Sequence, residues 1–377
     1  MSNHSVTRID AVWDSYPDQS IKSQIHEKRG HGVRIRLDKD GDGNTNIPGD
    51  WQSFLKNTEN KKELFFFISK EIVKNDFEGK LLLSTSSDAV ISNRPFDVSA
   101  LQPCNHSEAD TRIILHLLHA ASRGHQSAYV RTVDSDVVVL AVAFFEELGL
   151  AELWIGFGSG RSYRDIPIHT LHKQMGPQKA IALLLFHALT GCDTTSQFLG
   201  CGKRKAWTAW ENLPGLTEVL VQLINQPEIL TPESTHMQII ERFVVLMYSK
   251  TCGAARVNQA RFDLFSSGNR SLENIPPTQA ALYQHTKRAL LQCSFLWKQS
   301  TLCQQSIPAF DQWGWEYGTQ SWIPFWTTLP DASKACEVLL HCGCKKSCRG
   351  NCKCTKAGLR CTALCKCEGG CVNNDLM

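Results

Sequence analysis

The sequence predicts an α/β protein in which helices flank a parallel sheet, followed by a helical extension and a small cysteine-rich module. Three observations support this prediction. Strand and helix patterns alternate over the first half of the chain, which is typical of a parallel sheet with crossover helices. After about Trp207 only helical patterns recur. Nine of the sixteen cysteines lie between Cys342 and Cys371.

The alternating region starts with RIDAVWDSY (8–16), a β-rich run that predicts a strand ending at Asp14. NKKELFFFISKEIV indicates an amphipathic helix, and KLLLSTSSDAVIS a strand and turn. In SEADTRIILHLLHAASRG, polar residues precede an apolar helical repeat and a glycine follows it, which predicts a helix. SAYVRTV and ELWIGFG are predicted strands, whereas VVVLAVAFFEELG and PQKAIALLLFHALTG are predicted helices.

Composition narrows the class of protein. The chain has 377 residues, 42% hydrophobic and 20% charged, as in soluble globular proteins. Its first residues, MSNHSVTRID, contain no apolar segment of a secretory signal, and its longest apolar runs are too short for a membrane span. We therefore expect a protein of the nucleus or cytoplasm that is not secreted and does not enter a membrane.

Acidic residues recur where predicted strands end or the next helix begins. In VRTVDSDVVVLAV, two carboxylates interrupt an apolar run, and burying them without a partner would be costly. Carboxylates that converge at the ends of parallel strands bind Mg²⁺ or Mn²⁺, which prefer oxygen ligands. The alternative to metal binding is a structural role, because acidic residues also stabilise helix N-termini and cap turns. The candidate metal ligands are Asp14, Glu108, Asp110, Asp134, Asp136 and Asp193.

The order of these elements resembles the flap-endonuclease branch of the PIN-like nucleases over residues 8–210. VWDSYPDQSIKSQIHEKRGHGVR is similar to the family's strand-Asp element and its Lys/Arg helix, SEADTR to its Glu-Ala-Glu element, and TVDSDVVVL to its Glu-Asp-x-Asp-Leu element. HALTGCDTTSQFLGCGKRKAW resembles the Gly-x-Asp-Tyr element and the helix-two-turn-helix that follows it. Asp110 stands in place of the family's glutamate and Thr194 in place of its tyrosine.

The resemblance implies a PIN-like nuclease domain over residues 1–215 and a helical extension over 216–340. It implies that the six acidic residues bind two Mg²⁺ or Mn²⁺ ions and that Lys22 and Arg29 contact the scissile phosphate. It also implies that Gly200, Gly202 and Lys203 hold the backbone of duplex DNA. The family's first strand, which carries another ligand aspartate, is expected to be missing.

The cysteine-rich tail has the spacing C-x-C-x3-C-x3-C-x-C-x6-C-x3-C-x-C-x3-C. Its nine thiolates could bind three tetrahedral zinc ions if three of them bridge, and zinc would supply folding energy that a segment so poor in large apolar residues lacks. A metallothionein-like metal store is the alternative. The candidate ligands are Cys342, Cys344, Cys348, Cys352, Cys354, Cys361, Cys365, Cys367 and Cys371.

This spacing resembles one half of the tesmin-type CXC domain, over residues 341–373. The resemblance implies DNA binding, and seven Lys/Arg against two Asp/Glu in residues 341–377 suit phosphate contact. Six of these basic residues lie between Cys344 and Cys361 and are the candidate phosphate contacts: Lys345, Lys346, Arg349, Lys353, Lys356 and Arg360. Together the two resemblances predict a metal-dependent, structure-selective DNA endonuclease with a zinc-cluster tail. The alternative is a DNA-binding, chromatin-associated protein whose nuclease domain is inactive.

Overall fold

The computed structural model describes residues 6–15, 32–36, 48–75, 77–266, 274–319, 321–327, 342–343, 352–356, 361 and 365–367. The chain divides into two compact units, Met1–Phe325 and Trp326–Met377. The first unit mixes helices with small sheets, so the predicted α/β class is confirmed. No helix of the described residues is both long and apolar enough to cross a bilayer.

The first sheet has the order β1-β2-β3, formed by Arg8–Ala11, Leu81–Ser86 and Ala89–Ser92. β1 runs parallel to β2, and β3 runs antiparallel as the second strand of a hairpin. β1 is shorter than the predicted strand, because the amide of Trp13 donates to the Thr85 hydroxyl instead of a strand carbonyl. Asp14 therefore lies just beyond the strand.

The second sheet has the order β4-β5-β6, formed by Ser127–Thr132, Glu152–Phe157 and Arg164–Pro167. β4 is parallel to β5 and β6 is antiparallel to it. The prediction of one parallel sheet is thus wrong for the described residues, which form two mixed three-stranded sheets. The strand β6 was not predicted, because its four residues, RDIP, are too few to show the alternation of polar and apolar residues that marks a strand.

Helices pack around the sheets in the described part of the first unit. Between the strands lie α1 (Trp51–Lys56), α2 (Thr58–Ile72), α3 (Ala109–Ser122) and α4 (Ser135–Leu148). After β6 come α5 (Ile168–Met175), α6 (Pro177–Leu189), α7 (Lys203–Glu211), α8 (Leu216–Asn225), α9 (Thr235–Tyr248), α10 (Val257–Ser266) and α11 (Gln279–Leu290). α11 continues into a π-helical segment, Leu291–Trp297, and β7 (Trp315–Tyr317) and β8 (Trp322–Pro324) form a short hairpin.

One hydrophobic core joins the second sheet to the helical region. α4 is buried on nearly all sides because α3, α5 and α6 pack around it, which explains why its sequence is apolar throughout rather than amphipathic. The core runs on from Ile114 in α3 to Trp297 at the end of the π-helical segment. The predicted boundary between residues 215 and 216 falls inside this continuous core.

Buried polar groups tie the first sheet to α3. Arg112 is 1% exposed, and its guanidinium donates to the carbonyls of Ser87 and Ala89 in the β2-β3 hairpin. Asp10 of β1 pairs with Arg8 and with His116 of α3, at 3.0 Å from its Nδ1. These contacts fix the start of α3 against the ends of β1 and β2.

His285 of α11 gives the core a predictable dependence on pH. It is buried, its Nε2 lies 2.8 Å from the Leu189 carbonyl, and burial lowers the pKa of His285 to about 4. The unfolded chain, with a histidine pKa of about 6.5, binds the proton more tightly, so this stability is present above that pKa and is lost as the pH falls toward 4. Between pH 7 and pH 5 we expect this group to lower the free energy of unfolding by about 2 kcal/mol.

Urea unfolding at the two pH values measures this effect. His285→Gln should show a smaller loss of stability between pH 7 and pH 5 than the unchanged protein. His125→Gln, at a half-exposed histidine, should retain the full loss. An identical pH dependence in the His285 variant would contradict the prediction.

Candidate metal centres

Three carboxylates meet where β4 ends and α3 and α4 begin. Asp110 lies in the first turn of α3, Asp134 is the N-cap of α4, and Asp136 lies in the first turn of α4. One oxygen of each lies within 4.8 Å of the other two. These three residues, which we call the acidic triad, could hold a divalent ion with oxygen ligands.

Local capping shapes the acidic triad. Oδ1 of Asp134 accepts from the Asp136 amide at 2.8 Å, and the Asp134 amide donates to the Thr132 hydroxyl at 3.0 Å. The local alternative, in which Asp134 caps the next helix, is therefore realised as well. Capping holds Asp134 and Asp136 at the end of β4, on the side where α3 begins.

His187 of α6 contacts the carboxylate of Asp136. Its Nε2 lies 2.8 Å from Oδ1 of Asp136, and the two residues are only 4% and 7% exposed. The contact joins α6 to α4 across the core. It fixes the orientation of the Asp136 carboxylate, and such partners typically contribute 10–100-fold to metal affinity or activity.

Removing this imidazole should weaken metal binding. We expect His187→Ala to lower the affinity for Mn²⁺ by about 10–100-fold in calorimetric titrations, because Asp136 loses the group that orients it. His187→Gln can still donate to Asp136 and should lose less. His172→Ala removes another buried histidine, whose Nδ1 contacts the Val142 carbonyl away from the acidic triad, and should leave Mn²⁺ affinity unchanged. Equal affinity in all the variants would contradict the assigned role.

The other predicted acidic ligands lie outside the acidic triad. Oδ1 of Asp14 accepts from the amide of Ala109 at 2.9 Å, so Asp14 sits at the N-terminus of α3, where Ala109 directly precedes Asp110. Glu108 is the buried N-cap residue of α3, and Asp193 lies in the loop between α6 and α7. Their roles as ligands stay predictions.

The ammonium of Lys203 makes hydrogen bonds within the protein that the sequence did not predict. Its Nζ donates to the carbonyls of His187 and Gly191, at 3.1 and 2.7 Å, and to the Thr190 hydroxyl at 3.2 Å. These bonds use all three ammonium donors on the C-terminal end of α6. Desolvation lowers the pKa of Lys203 to about 8.

The two glycines before α7 differ in backbone conformation. Gly200 has a φ of +69°, which favours glycine, whereas Gly202 is the N-cap of α7 and, apart from its chain neighbours, no atom of the described residues lies within 4 Å of a Cβ placed there. Contact between these residues and DNA stays a prediction.

Cysteines of the second unit form two groups of four sulfurs. Each group lies within 4.8 Å internally, which suits tetrahedral metal coordination. The groups share Cys342 and Cys361, whose sulfurs are 3.7 Å apart. The first adds Cys352, which precedes the short helix α12 (Lys353–Lys356), and Cys354, which lies in it. The second adds Cys365 and Cys367.

Backbone amides direct these sulfurs inward. The Cys342 amide donates to Sγ of Cys365 and the Thr355 amide to Sγ of Cys352, each at 3.4 Å. Burial and the neighbouring sulfurs raise the pKa of Cys354 to about 12. Closely packed thiolates need a bound cation, so the arrangement fits metal coordination better than free thiols.

Several predicted site residues lie outside the described part of the chain, and for Lys353 this applies to the side chain. The prediction of three zinc ions therefore stays a prediction, while two groups of sulfurs that could hold an ion are present among the described cysteines. The residues concerned are Lys22, Arg29, Cys344, Cys348, Cys371, Lys345, Lys346, Arg349, Lys353 and Arg360.

Comparison with models of protein families, with curated proteins and with solved structures gives no match to this chain. The two centres are therefore interpreted from their own geometry.

Sequence reasoning missed His187 and the position of Lys203. A histidine inside the apolar run IALLLFHAL was the available signal, because a polar residue on a buried helix requires a partner. The partner itself, 51 residues earlier in the chain, could not be read from the pattern.

Proposed function

We propose that this protein is a divalent-metal-dependent, structure-selective DNA endonuclease whose C-terminal zinc cluster binds DNA. The observation that carries the proposal is the acidic triad. It combines three oxygen ligands with a supporting imidazole at the C-terminal end of a parallel strand, where α/β proteins gather functional groups.

The reaction class follows from the ligand chemistry. Mg²⁺ held by carboxylates can activate a water and stabilise the oxygens of an in-line displacement at phosphorus, and two ions do this for both the attacking and the leaving oxygen. Asp110, Asp134 and Asp136 would hold the first ion. Asp14 and Asp193 are the proposed additional ligands, and Lys22 and Arg29 the proposed phosphate contacts, as the resemblance to PIN-like nucleases implies.

The second unit would supply affinity for duplex DNA. Zinc would organise its backbone, and the lysines and arginines between the cysteines would contact phosphates without reading sequence. Binding of this kind weakens steeply as salt concentration rises.

A second candidate is a DNA-binding protein without nuclease activity. The position of Asp14 favours it, because Asp14 lies outside the acidic triad and a second ion needs ligands beyond those three carboxylates. Asp14 follows β1 of the first sheet, whereas Asp134 and Asp136 follow β4 of the second.

An assay with flap DNA separates the two candidates. The nuclease cleaves this substrate with Mg²⁺ or Mn²⁺ and stops when EDTA is added. The inactive protein retards the same DNA in a salt-dependent manner and leaves it intact with every divalent ion. If the protein neither binds nor cleaves DNA, both candidates are wrong.

A further inference from the structure

A cavity of about 540 Å³ opens beside the first sheet, between the C-terminal ends of β1 and β2, helix α2 and the segment 104–107. Its size is that of a small-ligand pocket. The acidic triad does not line it, although Asp14 does. We call it the α2 cavity.

Aromatic rings form one wall of the α2 cavity. Trp13 and Phe65 stack with ring centroids 5.1 Å apart, and Nε1 of Trp13 donates to the Ser84 hydroxyl at 3.1 Å, which fixes the indole. Phe66 is 50% exposed and already carries the Lys70 ammonium 3.9 Å above its ring. This wall can therefore stack a flat group and attract a positive charge.

The charged residues of the described lining are mainly acidic. Asp14, Glu63 and Asp88 line the cavity, and Lys62 is the one Lys or Arg among the described residues that line it. Lys62 is paired with Glu59 at 2.9 Å, and Glu63 with Arg34. The described lining thus has more carboxylates than cationic groups, beside hydroxyls that can accept as well as donate.

His106 adds a buried acceptor to this lining. It is 1% exposed, and its Nε2 lies 2.7 Å from the Leu302 carbonyl, so Nε2 carries the proton. Burial lowers the pKa of His106 to about 4, which keeps the ring neutral. Its Nδ1 has no hydrogen-bond partner in the described part of the chain.

We propose that the α2 cavity binds the guanidinium side chain of an arginine in a basic peptide. A guanidinium is flat, always charged and carries five donors, so it matches an aromatic wall beside an acceptor-rich rim. Lysine has a compact ammonium that stacks less well, and a nucleotide phosphate would be repelled by the carboxylates. This site shares Asp14 with the proposed metal ligands, but arginine binding does not depend on the proposed nuclease function.

Calorimetry with the full chain and an acetylated glycine–arginine–glycine peptide tests the proposal. The same peptide with citrulline, a neutral analogue of nearly equal shape, should bind at least about tenfold more weakly, because it lacks the charge. The lysine peptide should bind with intermediate affinity. Asp88→Asn should weaken arginine binding by about tenfold, since it removes one exposed carboxylate of the rim.

Controls separate this site from general attraction of a basic peptide. Glu218→Gln removes an exposed carboxylate of α8 and should leave the affinity unchanged. Trp13→Leu should abolish the preference for arginine over lysine. Circular dichroism shows whether this variant is folded. If it is not, Asp88→Asn serves as the test instead. Equal binding of the arginine and citrulline peptides, or no binding of either, would overturn the proposal. Binding of adenosine in place of the arginine peptide would also overturn it, in favour of a nucleobase site.

Discussion

Replacing Asp134 and Asp136 together with asparagine is expected to abolish Mg²⁺-dependent cleavage of flap DNA. Asparagine keeps the shape of each side chain but removes the charge, so two of the three carboxylates of the acidic triad no longer attract a divalent ion. We expect the cleavage rate to fall by at least about 10³-fold, because the metal supplies several kcal/mol of transition-state stabilisation.

The fold should survive this double substitution. Asparagine is as good an N-cap as aspartate, so Asn at position 134 can still accept from the amide of residue 136. Thermal unfolding followed by circular dichroism measures this. Asp263→Asn, at an exposed site in α10, is the matched control and should cleave normally. If the double variant cleaves as fast as the control, the acidic triad is not the metal site of the nuclease.

Removing metal should unfold the second unit and leave the first intact. Structural zinc contributes about 10–16 kcal/mol to the folding of small cysteine-bound domains, and its loss would leave the described cysteines as closely packed thiols. With a strong chelator, we expect limited proteolysis to digest the chain beyond Phe325 while the thermal transition of the first unit is retained. A tail that stays resistant to protease after its metal has been removed would contradict this.

Single cysteine variants should differ in how much metal they lose. Cys361 belongs to both groups of sulfurs, whereas Cys367 belongs to one. We expect Cys361→Ser to lose one more zinc ion per chain than Cys367→Ser when protein-bound zinc is measured by atomic emission. Equal losses in the two variants would mean that Cys361 does not bridge.

The sequence predicted those features that depend on local pattern. α3, α4 and α6 have long apolar repeats with polar residues or proline at their starts, and the structure has each of them. The acidic triad was predictable in the same way, since Asp134 and Asp136 follow a strand and Asp110 begins a helix. The spacing of the cysteines likewise indicated their clustering.

Contacts between distant segments could not be predicted. Whether β1 and β4 belong to one sheet depends on how helices pack between them, and no local pattern encodes that choice. The resemblance implied that Lys203 contacts duplex backbone, but it did not indicate that the Lys203 ammonium donates to carbonyls at the C-terminal end of α6, which a helix leaves without intrahelical partners.

The continuous core that runs from α3 to the π-helical segment limits how this protein can be divided. Gln292 in that segment accepts from the Thr194 hydroxyl at 2.8 Å, so the loop with Asp193 is held by residues nearly one hundred positions later. A chain cut after residue 215 would lose that contact and expose Ala180, Leu184 and Phe186 to water. We therefore expect that the first 215 residues do not fold as an independent domain. A fusion protein that contains them would also need the helices that follow them in the chain.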